Sequence, residues 1–258
     1  MKQIKEQNIR LINERQHTLY ETYEKRFSIY YLSLYERILK TVKTKTEIKI
    51  LDIGGASGHF AMELYSYFEA SNCKIVVLDS LKYDTWSMFS DKIDFIKASV
   101  DDVNQLFAEN TFDIIFANRV VHHFVRKTWK ETVDGIYGII GNIYSVLRPG
   151  GYFCVSDHFY NGFIYDKITS IIIYELTACK ITAIKKVCQK LGAESAGTGV
   201  CFLSKNMWMK LLSGNSFKIA FLVENKKLSD MKIYKKVLLF SKSIRMNNTI
   251  ICKKPTLT

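Results

Sequence analysis

The sequence predicts a doubly wound α/β fold with a seven-stranded, mostly parallel sheet. Three observations predict it. Short runs rich in Ile, Val and Phe alternate with longer helical stretches, as they do in proteins whose parallel strands are joined by crossover helices. The runs are short and mostly apolar, which is typical of strands buried on both faces. Finally, apolar residues make up 48% of the 258 residues, enough for one sizeable core.

Five apolar runs predict the first strands, and two later runs complete the sheet. The helix between the fourth and fifth strands is predicted from apolar residues three and four positions apart, beginning at Trp129 and ending before the breaker Arg148 to Gly151. The predicted strands are residues 48–53, 74–78, 93–98, 113–117 and 152–156, then 217–223 and a final strand within 237–252.

The length favours one large domain, because domains contain roughly 100–200 residues. Residues 1–42 are predicted to form a helical N-terminal cap, and residues 43–258 the main domain, with a helical lid insertion at about 158–205. Ser204 is the predicted N-cap of the helix that follows the insertion. The cap carries an aromatic and aliphatic stripe that we expect to pack on the main domain, consisting of Tyr20, Tyr23, Phe27, Tyr31, Leu34 and Ile38.

The charge and the cysteines limit the function classes. The net charge of +12 comes from 37 Lys and Arg against 25 Asp and Glu, but the lysines are scattered, so nucleic acid is possible as a partner and not favoured. Six cysteines without a C-x-x-C pair favour a reducing, cytoplasmic location. No membrane span is expected, and the sequence leaves the oligomeric state open.

A glycine-containing loop is the sharpest local signal. The segment Leu51 to Phe60, LDIGGASGHF, follows a predicted strand and opens a helix, where backbone N–H groups can meet a ligand. Asp79 ends the next strand, 21 residues after Gly58. A carboxylate at that position can accept hydrogen bonds from both hydroxyls of a ribose. Together these features predict a nucleoside-binding site.

The loop spacing is D-x-G-x-x-x-G instead of the dinucleotide pattern G-x-G-x-x-G. With Asp79, Phe112-Asp113 and the turn Leu147 to Gly151, it resembles the class I S-adenosylmethionine-dependent methyltransferases over about residues 46–158. The resemblance implies S-adenosyl-L-methionine as the cofactor. It assigns Asp52, Gly54 and Gly58 to the methionine moiety, Asp79 to the ribose, Ser99 and Val100 to the adenine, and Asn118 to the sulfonium end.

Two positions depart from the family pattern. Ala56 stands where the family usually has a second glycine, and Ser99 stands where an Asp often reaches the adenine amino group. The neighbouring Asp101 and Asp102 could make that contact, or could simply form a solvated start of a helix.

Four of the five histidines fall just after predicted strand ends, where ligands collect in open α/β sheets. The segment Asn118 to Phe124 resembles the small-molecule O-methyltransferases. This resemblance implies that His122 is the general base, with His123 as the reserve. His59 and His158 have structural interpretations, as a first-turn helix residue and as a strand-end residue beside Asp157.

The sequence thus predicts an S-adenosylmethionine-dependent methyltransferase that acts on a small-molecule acceptor, most simply by O-methylation with His122 as base. Three alternatives stay open, namely N-methylation of a small amine, methylation of RNA or protein, and a cofactor-binding protein without catalysis. A metal requirement is not expected, because no Asp-Asn pair that could ligate magnesium follows the fifth strand.

Overall fold

The computed structural model describes residues 27–69, 72–193, 195–224 and 237–256. The chain divides into two compact units, Met1–Ser99 and Val100–Thr258. The strands are β1 (Ile48–Ile53), β2 (Cys73–Asp79), β3 (Asp94–Lys97), β4 (Phe112–Asn118), β5 (Leu147–Gly162), β6 (Lys218–Val223) and β7 (Ser241–Lys253). The helices are α1 (described over 27–42), α2 (His59–Tyr67), α3 (Trp86–Phe89), α4 (Val103–Leu106), α5 (Trp129–Val146), α6 (Asp166–Ala178), α7 (Thr182–Lys190) and α8 (Lys205–Gly214).

In the first unit, the strands lie in the order β3-β2-β1 and all pair in parallel. Helix α1 packs through the predicted stripe, because Tyr31 is buried and its ring centroid lies 5.9 Å from that of Phe60 in α2. Ile38 is buried on the same helix. The predicted stripe residues Tyr20 and Tyr23 lie outside the described residues.

In the second unit, the strands lie in the order β4-β5-β7-β6. β4 pairs with β5 in parallel, whereas β7 runs antiparallel between β5 and β6. β5 is longer than the predicted 152–156 because β7 pairs with it as far as Gly162. A long antiparallel neighbour supplies backbone partners that a local apolar pattern does not reveal.

The segment after β5 contains two helices, α6 and α7, where the sequence predicts a helical insertion. Its first residues, up to Gly162, still belong to β5. Ser204 caps α8 as predicted, since its hydroxyl accepts a hydrogen bond from the Met207 N–H at 3.1 Å. A role of α6 and α7 as a lid stays a prediction.

The prediction of a seven-stranded, mostly parallel α/β sheet with flanking helices is confirmed. Within the described ranges, no helix combines the length and the hydropathy needed to cross a membrane.

Candidate active site

The glycine loop between β1 and α2 is held tightly. The Gly54 N–H donates to the Leu78 carbonyl at 2.7 Å, so the loop starts directly on the end of β2. Asp52 is 2% exposed beneath the loop. Gly58 has a φ of +87°, and a Cβ there would lie 2.8 Å from the Phe95 ring, so only glycine fits without strain. Ala56 has a φ of +45°, which explains why glycine is usual at its position.

Asp79 ties the end of β2 to this loop. One carboxylate oxygen accepts the Ala56 N–H at 3.1 Å, and the other accepts the Leu81 N–H at 3.0 Å. Burial raises the pKa of Asp79, although these backbone donors act in the opposite direction. Each oxygen has further lone pairs, so the carboxylate keeps the capacity to accept ribose hydroxyls.

Thr85 and Trp86, which the sequence analysis missed, hold the loop from the segment after β2. The Thr85 hydroxyl donates to the Ser57 carbonyl at 2.8 Å, and the Trp86 indole N–H donates to the Ala56 carbonyl at 2.7 Å. The Trp86 ring stacks on Phe95 with centroids 4.9 Å apart. Both loop carbonyls are therefore fixed by side chains that no spacing rule would have connected to the glycines.

The predicted adenine and sulfonium residues lie at strand ends. Ser99 is half-buried in the loop after β3, in the first unit. In the second unit, Val100 begins a 3-10 helix and Asn118 ends β4, and both are half-buried. Asp101 is exposed and forms an ion pair with the guanidinium of Arg126. Asp101 is one of the two carboxylates that could contact the adenine amino group in place of an Asp at position 99. It is already engaged by its ion pair with Arg126.

His122 and Asp157 form a buried pair in the second unit. His122 Nδ1 lies 2.8 Å from Asp157 Oδ1, and the two residues are 7% and 2% exposed. The His158 backbone N–H donates to the same Asp157 oxygen at 2.7 Å. Burial alone would raise the pKa of Asp157, but the charge and hydrogen bond of His122 lower it overall. A carboxylate in this state fixes the proton of a neutral His122 on Nδ1 and leaves Nε2 as the basic nitrogen.

Aromatic rings enclose this pair. Phe202 stacks on His122 with centroids 4.6 Å apart and on Tyr160 at 4.8 Å. The Cys201 N–H donates to the His122 carbonyl at 2.9 Å, which fixes Phe202 beside the imidazole. Burial raises the pKa of Tyr160 to about 12, so this phenol stays neutral at physiological pH.

The other histidines differ in their surroundings. His123 is exposed, with its ring centroid 4.1 Å from that of His122. His158 is buried, and its Nδ1 accepts the Asn247 N–H at 3.0 Å, which needs an unprotonated nitrogen there. Burial lowers the pKa of His158 to about 4. His59 stands in the first turn of α2, where its ring packs edge-on against Phe89 at 5.7 Å. The surroundings of His59 agree with its structural interpretation, whereas His158 lies inside β5 and not at its end, because β5 continues to Gly162.

Asp157 and Phe202 are the residues of the histidine cluster that the sequence analysis did not assign. A sequence signal existed for Asp157, since a carboxylate at the end of an apolar strand needs a partner once it is buried. No signal existed for Phe202, because it lies 80 residues from His122 and meets it only in the folded chain.

The mixed α/β sheet with a glycine loop after β1 and a carboxylate at the end of β2 is the architecture of the class I S-adenosylmethionine-dependent methyltransferases. A family model described as a methyltransferase domain matches residues 44–213. The chain therefore belongs to this family.

Known proteins give the same class. Residues of this chain are 30% identical to the yeast Saccharomyces cerevisiae "Sterol 24-C-methyltransferase ERG6" over 114 residues, 41% of this chain and 26% of that protein. The "Uncharacterized methyltransferase YcgJ" of Bacillus subtilis is 26% identical over 129 residues, covering 47% and 45%. The matched regions thus cover between about a quarter and just under half of the length of these relatives.

A solved structure extends the likeness to most of the chain. A "SAM dependent methyltransferase" from Archaeoglobus fulgidus superposes with a TM-score of 0.55 at 14% identity, covering 91% of this chain and 99% of the other. At this identity the likeness supports the fold alone.

Proposed function

We propose that this protein transfers a methyl group from S-adenosyl-L-methionine to a hydroxyl of a small-molecule acceptor, with His122 as general base. The buried pair of His122 with Asp157 is the observation that carries the proposal. A base that removes a hydroxyl proton needs a free ring nitrogen and a partner that stabilises the imidazolium it becomes. Asp157 meets both needs. Its hydrogen bond to Nδ1 leaves Nε2 as the free nitrogen, and its negative charge stabilises the imidazolium.

The residues of the first unit fit the proposed cofactor. Asp79 would accept the ribose hydroxyls, while Asp52, Gly54 and Gly58 would shape the pocket for the methionine moiety. The fit rests on the glycine loop and on the half-buried Asp79 carboxylate, which keeps acceptor capacity after its two backbone hydrogen bonds. Ser99 and Val100 are proposed for the adenine, and Asn118 for the sulfonium end.

The cofactor supplies a methyl group that its positive sulfur already activates. The protein then has to orient the acceptor, exclude water and accept one proton. Orientation alone can lower a barrier by roughly 7–11 kcal/mol, whereas a general base typically adds about 10²–10⁴-fold in rate. His122 Nε2 accepts the hydroxyl proton in this proposal, and Asp157 stabilises the charged ring. His123 is the reserve base because its ring lies beside that of His122, but desolvation of its ring and the neighbouring His122 lower its pKa to about 3, which makes it the weaker base.

A carbon acceptor is the second candidate, because one relative, matched over 114 residues, is named a sterol 24-C-methyltransferase. The aromatic rings of Phe202 and Tyr160 beside His122 agree with an apolar acceptor of either kind. N-methylation differs from both, because a neutral amine needs no strong base. RNA or protein methylation and a purely cofactor-binding role remain the further alternatives.

Calorimetric titration of S-adenosyl-L-methionine and its demethylated product, with NAD as the control ligand, tests the cofactor. We expect micromolar binding of the first two, weakened about 10–100-fold by Asp79→Ala because a charged hydrogen-bond acceptor is lost. A preference for NAD would contradict the cofactor assignment.

Turnover with a panel of phenols, alcohols, amines and sterols tests the acceptor. His122→Ala should slow an oxygen methylation by about 10²–10⁴-fold and leave cofactor affinity unchanged. His59→Ala is the matched control, since it removes a histidine from α2. Unchanged turnover in His122→Ala would contradict the base, and cofactor binding without turnover on any acceptor would favour the non-catalytic alternative.

A further inference from the structure

Two neighbouring segments of the second unit expose large apolar side chains. The connection from β5 to α6 contributes Ile164, Tyr165 and Phe163, which are 71%, 66% and 54% exposed. The start of α6 and the turn before β7 contribute others. We call the whole set the apolar patch, consisting of Phe163, Ile164, Tyr165, Ile168, Val237, Leu238 and Phe240. Isolated exposed apolar residues are ordinary, but a contiguous group of this size marks an interaction surface.

The two segments are joined to each other by backbone contacts. The Phe163 N–H donates to the Phe240 carbonyl at 3.3 Å, and the two rings lie edge to face with centroids 6.1 Å apart. The Thr169 hydroxyl donates to the same carbonyl at 2.7 Å. Gly162, just before the patch, donates its N–H to the Asp166 carboxylate at 2.8 Å. The exposed side chains therefore stand on an anchored backbone.

Two exposed lysines, Lys167 and Lys242, adjoin the apolar patch within the described residues, and the sequence around its second segment is rich in lysine. Residues 226–242, which enclose Val237, Leu238 and Phe240 in the sequence, contain six lysines and a single acidic residue, Asp230. Of these lysines, Lys242 lies within the described residues and is exposed. At the other segment, the carboxylate of Asp166 is turned to internal partners, Gly162 and Asn206.

We propose that the apolar patch docks this protein on the surface of an anionic lipid bilayer. Aromatic and aliphatic side chains insert at the headgroup level, while neighbouring lysines attract anionic lipids. A second copy of the chain is a less favourable partner for the patch than a lipid surface, because two patches flanked by lysines would repel each other. This docking is independent of the proposed methyl transfer, and it would bring the protein to acceptors dissolved in a membrane.

Cosedimentation of the full chain with vesicles tests the proposal. One set of vesicles contains phosphatidylcholine alone, and the other contains one third phosphatidylserine. We expect at least about tenfold tighter binding to the anionic vesicles, and a loss of this preference at high salt. The double variant F163S/I164S should bind at least about tenfold more weakly, because two inserted side chains are lost. K242Q should weaken binding about fivefold.

The double variant I181S/V187S is the matched control. It also removes two exposed apolar side chains, which are 61% and 55% exposed, but Ile181 caps the start of α7 and Val187 lies within α7, outside the apolar patch. Circular dichroism and urea unfolding check that all variants fold. Equal binding to both vesicle types, or equal losses in the patch and control variants, would overturn the proposal. A dimer in solution that F163S/I164S abolishes, without vesicle binding, would overturn it in favour of a second copy.

Discussion

Asp157 holds the imidazole of His122 by its Nδ1 atom at 2.8 Å, although 35 residues separate the two in the chain. β4 and β5 pair in parallel with Asn118 opposite Ser156, so His122 after β4 and Asp157 within β5 meet at the same edge of the sheet. The pair lies in the interior of the second unit, where a charge–imidazole interaction is screened less than in water.

The first prediction concerns Asp157→Asn. An amide cannot stabilise an imidazolium as a carboxylate does, and it can favour the wrong tautomer of His122. We expect kcat to fall about 10²–10⁴-fold with little change in the affinity for S-adenosyl-L-methionine. Steady-state kinetics and calorimetry together separate these two effects.

Asp113→Asn is the control for that experiment. Asp113 is a buried carboxylate in β4 that pairs with Arg148 at 2.8 Å and not with a histidine. It should lower stability and leave kcat within about threefold of the wild type, because general-base catalysis does not pass through it. Equal losses of kcat in both variants would contradict a specific role of Asp157.

The second prediction is a loss of stability in mild acid through His158. Its pKa falls from 6.5 to about 4 on folding, so between these values the unfolded chain binds a proton that the folded chain does not. The contribution of His158 to the free energy of unfolding is therefore present above pH 6.5 and is lost as the pH falls toward 4. It amounts to at most about 3 kcal/mol.

Urea unfolding at a series of pH values checks this. His158→Asn keeps an acceptor for the Asn247 N–H and removes the titrating ring, so the free energy of unfolding should depend less steeply on pH. His59→Asn provides the comparison, since it removes a histidine from α2. A pH dependence that His158→Asn leaves unchanged would refute the assignment.

The third prediction concerns Lys254, which closes the C-terminal end of α5. Its ammonium donates to the carbonyls of Tyr144 and Leu147, both at 2.8 Å, and to Asn110 Oδ1 at 2.9 Å. Lys254→Met should lower the free energy of unfolding by about 1–3 kcal/mol, because charged hydrogen bonds to the helix end are lost. Lys253→Met is the control. If both variants unfold at the same urea concentration, the contacts of Lys254 add nothing.

The fourth prediction compares two glycines. Gly58→Ala would place a Cβ 2.8 Å from the Phe95 ring at a φ of +87°, so we expect a loss of stability and of cofactor affinity. Gly138→Ala meets no atom within 4 Å in the exposed face of α5 and should stabilise the protein by up to about 1 kcal/mol. Thermal unfolding and calorimetry measure both. Similar effects of the two substitutions would contradict the geometry of the loop.

Much of the fold could be predicted because its signals are local. Short runs rich in Ile, Val and Phe indicated the strands, and the spacing of apolar residues indicated α5 over nearly its observed length. The extension of β5 over residues 157–162 could not be predicted in this way, since its partners belong to β7, 79 to 91 residues away in the chain. The cofactor residues rest on the resemblance of the glycine loop and Asp79 to the family pattern, and their roles stay predictions.

The sequence by itself determined the class of protein, the glycine loop and the position of His122 after β4, because short-range spacing and backbone conformation specify each of them. Only the tertiary structure paired His122 with Asp157, stacked Phe202 on that imidazole and brought Thr85 and Trp86 to the loop carbonyls. Hydrogen bonds and ring stacking act within a few ångströms, so they depend on which distant segments the packed core brings into contact.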